Sequence, residues 1–436
     1  MIEMPSPGNQ PGDQPENPTA VQSNPVHWPS ILAAIGGILA ILTIGAGALL
    51  FFLSGLVSTF NPEAASGDSV LLFSYSVTGV LVSFLILPVV ILAVRRLSGR
   101  GAVPGQGFHR IFMLKNPQRL IWLYLPLVLL GYLIQFVKGL DLVLLPGINV
   151  LVLSIPVAWL IWLGMKNLQP SSIQRNWTIF GLGMTVSPVM IIFLELTAIF
   201  LALIVFVILV VTVFPDVADQ LSQIANTLEA AATTMEVPEQ EVVSLLQSPV
   251  VVAGLLLFTS VLVPLIEETI KPLGVWLLAG RDLTLQDGWV LGLLSGAGFA
   301  LVENLGNLTA GDGWTFLMLA RAGAAGLHMF NSAIIGYTFV LSRRQKRWRP
   351  FILAFMGALA LHALWNAVAV LASIQSLSVP AENGLGWPLI YVVTLAVVAL
   401  GIYTAIHRLN RRLAGTAKPD YAESENENGR SDLTTG

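Results

Sequence analysis

Apolar stretches of 18 or more residues recur along almost the whole chain, and that recurrence leaves few folds open. Inside hydrocarbon every backbone N–H and C=O must be satisfied within the protein, so only helices and closed barrels cross a bilayer. Runs this long and continuous read as helices. The chain is 55% hydrophobic and 11% charged, whereas soluble domains carry roughly 25% charged residues. The expected fold class is all-α: a polytopic helical membrane protein with about ten transmembrane helices. Their approximate positions are 29–54, 69–94, 120–137, 146–165, 183–213, 250–279, 288–306, 315–341, 351–374 and 387–406. The chain has no cysteine, which removes disulfides, thiolate metal sites and a cysteine nucleophile.

Basic residues orient these spans. Clusters follow the second, fourth, sixth, eighth and tenth spans: Arg95 to Arg119, Lys166 and Arg175, Arg281, Arg343 to Arg349, and Arg408 to Lys418. The alternate connections contain only Lys138. Basic loops stay on the cytoplasmic side, so both termini are expected in the cytoplasm of a multi-pass protein of the plasma membrane. Residues 1–28 read as a disordered cytoplasmic tail, because they hold six prolines and lack both the basic and the apolar region of a signal peptide. Residues 29–213 read as a transmembrane scaffold of five spans, 214–249 as an acidic extracytoplasmic loop, and 250–375 as a functional core of four spans. A last span (376–412) and a disordered tail (413–436) complete the chain.

The division at residue 250 rests on charge. Spans one to five are nearly free of ionisable residues apart from Glu195, which alone on its span reads as an interhelical hydrogen-bonder. Spans six to nine hold Glu267, Glu268, Lys271, Glu303, Arg321, His328 and His362. A charge at the bilayer centre costs at least ~2.5–3.5 kcal/mol, so such groups need partners, water or a metal. A helix rises ~1.5 Å per residue. Measured from the cytoplasmic ends, Glu267 is about 21 Å in, Glu303 about 24 Å, His328 about 22 Å and His362 about 18 Å. Four helices of alternating direction therefore place ionisable groups in one layer.

Face geometry agrees with that layer. Residues three and four apart share a helix face, so Glu267 can pair with Lys271, while Glu268 is rotated by about 100° from Glu267 and can face elsewhere. His362, Trp365 and Asn366 share a face, and so do His328, Asn331, Ser332 and Arg321. Pro264 and Pro272 flank the acidic pair and bend the helix there. Arg321 reads as a counter-ion for a glutamate and Trp365 as packing.

Two histidines and a carboxylate suit a catalytic zinc ion that keeps one position for water. Glu303, His328 and His362 are the candidate metal ligands, and Glu267 or Glu268 the general base. The same groups could activate water without metal, through a buried carboxylate paired with histidine. Asn366 is a candidate oxyanion donor, and Lys271, Asn304, Arg321, Asn331 and Ser332 are supporting or substrate-binding candidates. A proton- or ion-coupled transporter would also gather Glu, His and Lys at the midplane, and a silent scaffold would use them for packing.

Four motifs separate these readings. Glu267-Glu-Thr-Ile-Lys271 fits E-E-x-x-K, and Phe299-Ala-Leu-Val-Glu303-Asn304 fits F-x-x-x-E-N. His328-Met-Phe-Asn-Ser332 fits H-x-x-x-[ST], and His362-Ala-Leu-Trp-Asn366 fits H-x-x-x-[DN]. In order and spacing, residues 260–370 resemble the PrsW family of intramembrane proteases, relatives of the CAAX-processing and bacteriocin-immunity proteases. The resemblance implies an intramembrane endopeptidase, metal-assisted or glutamate-based. It implies a membrane-anchored protein as substrate, such as a regulator of transcription, and the lipid bilayer as surroundings, with no nucleic-acid partner. It carries the base role to Glu267 or Glu268, and active-site roles to Glu303, His328, His362 and Asn366.

Overall fold

The computed structural model describes residues 28–61, 68–99, 119–168, 172–214, 248–309, 311, 313–378 and 386–415, with isolated positions between 215 and 247. The expected tails, most of the acidic loop and most of the basic segment after the second span lie outside the described residues. All regular structure among the described residues is helical. The helices are α1 (Trp28–Phe60), α2 (Ser69–Leu97), α3 (Ile121–Ile134), α4 (Leu140–Met165), α5 (Ile173–Met184) and α6 (Val186–Val213). After the acidic loop come α7 (Pro249–Leu257), a π-helical turn (Phe258–Leu262), α8 (Val263–Ile270) and the short α9 (Leu273–Leu277). Then follow α10 (Leu285–Gly306), α11 (Trp314–Gln345), α12 (Arg349–Ser378) and α13 (Gly386–Gly415). Among the described residues, nine helical segments are long and apolar enough to cross a bilayer, and α3 is a shorter apolar helix. The protein is therefore an all-α polytopic membrane protein.

Two expected spans differ in detail. The fifth was expected to begin at 183, but α5 already runs from Ile173 and meets α6 at a break on Thr185. Pro188 lacks the N–H that would bond the carbonyl of Met184, so the ladder is interrupted there. α5 carries Gln174, Arg175, Asn176 and Thr178, and this polarity hid a helix whose residues from Asn176 to Met184 are all buried. The sixth span is continuous in direction but is broken into α7, the π-turn, α8 and α9.

The core centres on α10. Its residues from Gly288 to Leu301 are all buried, between α5 on one side and α11 on the other. Glycine permits both contacts. A Cβ at Gly292 would strike the carbonyl of Ser332, and one at Gly296 the carbonyl of His328. On the opposite face, Gly298 lies against the carbonyl of Phe180, and Gly183 of α5 against that of Ser295. Small residues thus bring backbones together, as packing within lipid requires. α1, α6 and α13 present many exposed large apolar side chains, as lipid-facing helices do.

Polar contacts tie one end of the bundle. Arg175 of α5 pairs with Asp287 in the first turn of α10, where Thr284 and Asp287 form a capping box. The Gly164 carbonyl near the end of α4 accepts bonds from Trp289 Nε1 and Asn410 Nδ2, both at 2.8 Å. These contacts fix the direction of α10, and with it the depth of Glu303.

Candidate active site in the membrane core

The acidic pair sits between two helix defects. Val263 N–H bonds the carbonyl of Phe258, five residues back, in the π register. In that register Pro264 would bond the Thr259 carbonyl but has no N–H to offer. Asn366 Nδ2 of α12 donates to that carbonyl instead, at 2.8 Å. At the other end Pro272 stops α8. Trp276 Nε1 donates to the Thr269 carbonyl at 2.8 Å, and Ser295 Oγ to the Lys271 carbonyl at 2.5 Å. One turn of helix bearing Glu267, Glu268 and Lys271 is thereby clamped from α10 and α12.

The clamped turn meets both histidines. Glu267, Glu268, Lys271, His328 and His362 are all buried. His362 Nδ1 lies 2.7 Å from Glu268 Oε1, and His362 Nε2 lies 3.8 Å from Glu267 Oε2. His328 Nε2 lies 2.7 Å from Glu303 Oε2. His328 Nδ1 lies 2.6 Å from Lys271 Nζ. The ammonium also contacts Glu267 Oε2 at 2.5 Å and Glu268 Oε1 at 3.2 Å. The two imidazoles are edge to face, with centroids 5.2 Å apart.

The hydrogen bonds define both tautomers. An ammonium can only donate, so His328 Nδ1 accepts from Lys271 and the ring proton is on Nε2, which lies 2.7 Å from Glu303 Oε2. A buried carboxylate accepts, so His362 Nδ1–H donates to Glu268. His362 Nε2 is then left with its lone pair towards Glu267. Each histidine is thus oriented by its own glutamate, the carboxylate–histidine arrangement that supports metal sites.

The remaining candidates fall around this layer. Arg321 Nη1 holds Glu303 Oε1 at 2.9 Å, as its counter-ion reading expects. Asn304 Nδ2 donates to the Arg321 carbonyl at 3.2 Å, linking α10 to α11. Asn331 Nδ2 donates to the Ala358 carbonyl at 3.0 Å, linking α11 to α12. Ser332 Oγ is buried without a hydrogen-bond partner and packs towards Gly296. Trp365 is buried, and a Cβ on Gly323 would meet its ring.

The donor set fits a divalent ion. One ligand atom each from Glu267, His328 and His362 lies within 4.8 Å of the others. Two imidazoles and a carboxylate are a catalytic-zinc donor set. Glu268 Oε2 is also buried with no hydrogen-bond partner. The expected ligand set had Glu303 in place of Glu267. The structure instead brings Glu267 into the converging group, while Glu303 is engaged by Arg321 and the far nitrogen of His328.

Depth counting left two participants unassigned. Glu195 of α6 is close enough to Glu267, Glu303 and Lys271 to feel their charges, but its Oε1 is buried without a hydrogen-bond partner, so the expected interhelical hydrogen bond is not formed there. Being the sole ionisable residue within the first five spans was its signal. Phe299 places its ring 4.7 Å from Lys271 Nζ and edge to face with His328, at 5.3 Å.

A bundle of apolar helices enclosing a buried Glu/His cluster able to hold a metal or to perform acid–base catalysis defines an intramembrane hydrolase. The family follows from comparison. Residues 176–402, more than half of the chain, match the model of the PrsW family intramembrane metalloproteases. The chain belongs to that family, and the match runs from α5 to α13. Comparison with curated proteins and with solved structures gives no match.

Proposed function

We propose that this intramembrane protease cleaves a peptide bond of a membrane-anchored protein by water attack at the layer of Glu267, Glu268, His328 and His362. The observation that carries the reading is the convergence of Glu267, His328 and His362 within 4.8 Å, buried on three helices. Zinc is the ion the donor set suits best. When bound it would polarise the scissile carbonyl and lower the pKa of a water.

The chain's own residues do the rest. Glu268 turns His362 through its Oε1, and Glu303 turns His328 through its Oε2, so both rings are fixed before substrate arrives. Glu268 Oε2, buried and without a partner, is placed to take the proton of the attacking water and to return it to the leaving amine. Asn366 commits one N–H to Thr259 and has a second to offer the developing oxyanion. Arg321 pairs with Glu303, and Lys271, Asn304, Asn331 and Ser332 support the layer. Ion-coupled transport has no observation of its own in its favour.

Chelation tests the metal component. Purified protein treated with a strong zinc chelator is expected to lose at least tenfold of its cleavage of a membrane-anchored substrate, and added zinc to restore it. Full activity in the chelated protein would leave Glu268 and its histidine partner as the whole catalyst.

We infer a topology of ten crossings with both termini in the cytoplasm of the plasma membrane. Residues 29–213 then form the scaffold, and 250–375 the catalytic core. The gathering of Arg175, Arg281 and Arg344 at one end of the bundle, near the ends of α4 and α11, supports it. The absence of native cysteine makes the test direct. Ser23→Cys and Ser431→Cys are expected to resist a membrane-impermeant maleimide in intact cells, whereas Ala230→Cys is labelled. Labelling of either terminus would reverse the assignment.

A further inference from the structure

Lys271 stands where the cluster would hold a cation. Its side chain is fully buried, and its ammonium has three hydrogens to donate. It bonds Glu268 Oε1 at 3.2 Å and His328 Nδ1 at 2.6 Å, and pairs as an ion with Glu267 Oε2 at 2.5 Å. The Phe299 ring covers another side, 4.7 Å from Nζ, as cation–π contact favours. Negative charge, an imidazole lone pair and an aromatic face thus surround one positive charge.

Two of those acceptors, Glu267 and His328, also belong to the group that converges for a metal. Zinc approaches such atoms to about 2.0–2.2 Å and needs their lone pairs. His328 has one lone pair, at Nδ1, because that nitrogen accepts from Lys271 and the ring proton is on Nε2, facing Glu303. That lone pair cannot serve an ammonium hydrogen and an ion together. Two cations so close would also repel strongly in a buried site.

We propose that Lys271 is a tethered cation that competes with the divalent ion for this position, so that the ion binds only as the ammonium withdraws. The inference rests on the reading that Glu267, His328 and His362 hold the ion. With the ammonium in place the buried carboxylates are compensated and His328 has no free nitrogen. With the ammonium withdrawn from Glu267 Oε2 and His328 Nδ1, both ligands are released. While the ammonium holds these atoms, the metal affinity is lower than the donor set alone would give.

Zinc binding to the purified full chain, followed by calorimetry in detergent, tests this. Lys271→Met keeps the stem and removes the charge, and it is expected to bind zinc at least tenfold more tightly than the unmodified protein. Adding His328→Ala is expected to abolish that binding. Removing Lys271 leaves two buried carboxylates uncompensated, so K271M/E268Q is compared with E268Q in the same assay and is expected to show the same tightening. Equal or weaker binding on loss of Lys271 in either background, or binding that survives His328→Ala, overturns the proposal. Because binding is measured apart from cleavage, tightening in a protein that cleaves nothing would support this competition while overturning the hydrolytic reading.

Discussion

Replacing Glu267 by glutamine is expected to lower cleavage of a membrane-anchored substrate by about 10²-fold or more, because it removes the one carboxylate of the converging ligand group and misplaces the rest. Glutamine keeps the shape but not the charge. Glu267 Oε2 meets both Lys271 Nζ at 2.5 Å and His362 Nε2 at 3.8 Å, so one substitution disturbs the ammonium and the open nitrogen together. Glu268→Gln is expected to fall in the same range for another reason: it removes the proton acceptor at Oε2 and weakens the hold on His362. The losses should not add, because both residues act on one histidine and one lysine. The assay is cleavage of a co-expressed anchored reporter, normalised to folded protein. Unchanged cleavage in the double variant would remove the pair from the mechanism.

Gly292→Val is expected to be the most damaging change outside the charged layer. A Cβ there would fall against the Ser332 carbonyl, which is backbone and cannot swing aside. Overpacking of this kind costs about 1–3 kcal/mol, and relief requires α11 to move away from α10. His328 sits one turn before Ser332 on α11, and its Nε2 reaches Glu303 on α10. Parting the helices therefore pulls the histidine from its glutamate. A misplacement of about 1 Å at a catalytic group can cost roughly 10²-fold in rate. Thermal melting in detergent should show the lower stability, and the reporter assay the lost cleavage. Gly357→Ala, where a Cβ meets nothing within 4 Å, is the control and should leave both near their starting values.

Much of this site is legible in the amino-acid sequence because charge in a membrane span is expensive. Glu267, Glu268, Lys271, Glu303, His328 and His362 stand out from apolar surroundings, and the fixed helical rise converts their spacing into depth. Depth does not give pairing. That Glu268 takes His362, Glu303 takes His328 and Lys271 bridges them depends on helix rotation and on the π-turn. The π-turn can be rationalised from Pro264 and Asn366 only once they are seen together. α5 was hidden because its polar residues read as a loop, although they bury against α10. Glu195, alone on its own helix, reads from sequence as an interhelical hydrogen-bonder and not as part of the charged layer. Solitude along the chain says nothing about what neighbouring helices present.

Mapping the scissile bond by mass spectrometry tests the central claim most directly. Purified protein reconstituted in lipid with a single-span anchored substrate is expected to yield two fragments whose new ends lie inside the apolar span, at the depth of Glu267, His328 and His362. The same preparation carrying His328→Ala is expected to yield neither. Fragments ending only in the water-exposed part of the substrate, or the same fragments from the His328→Ala protein, would contradict it.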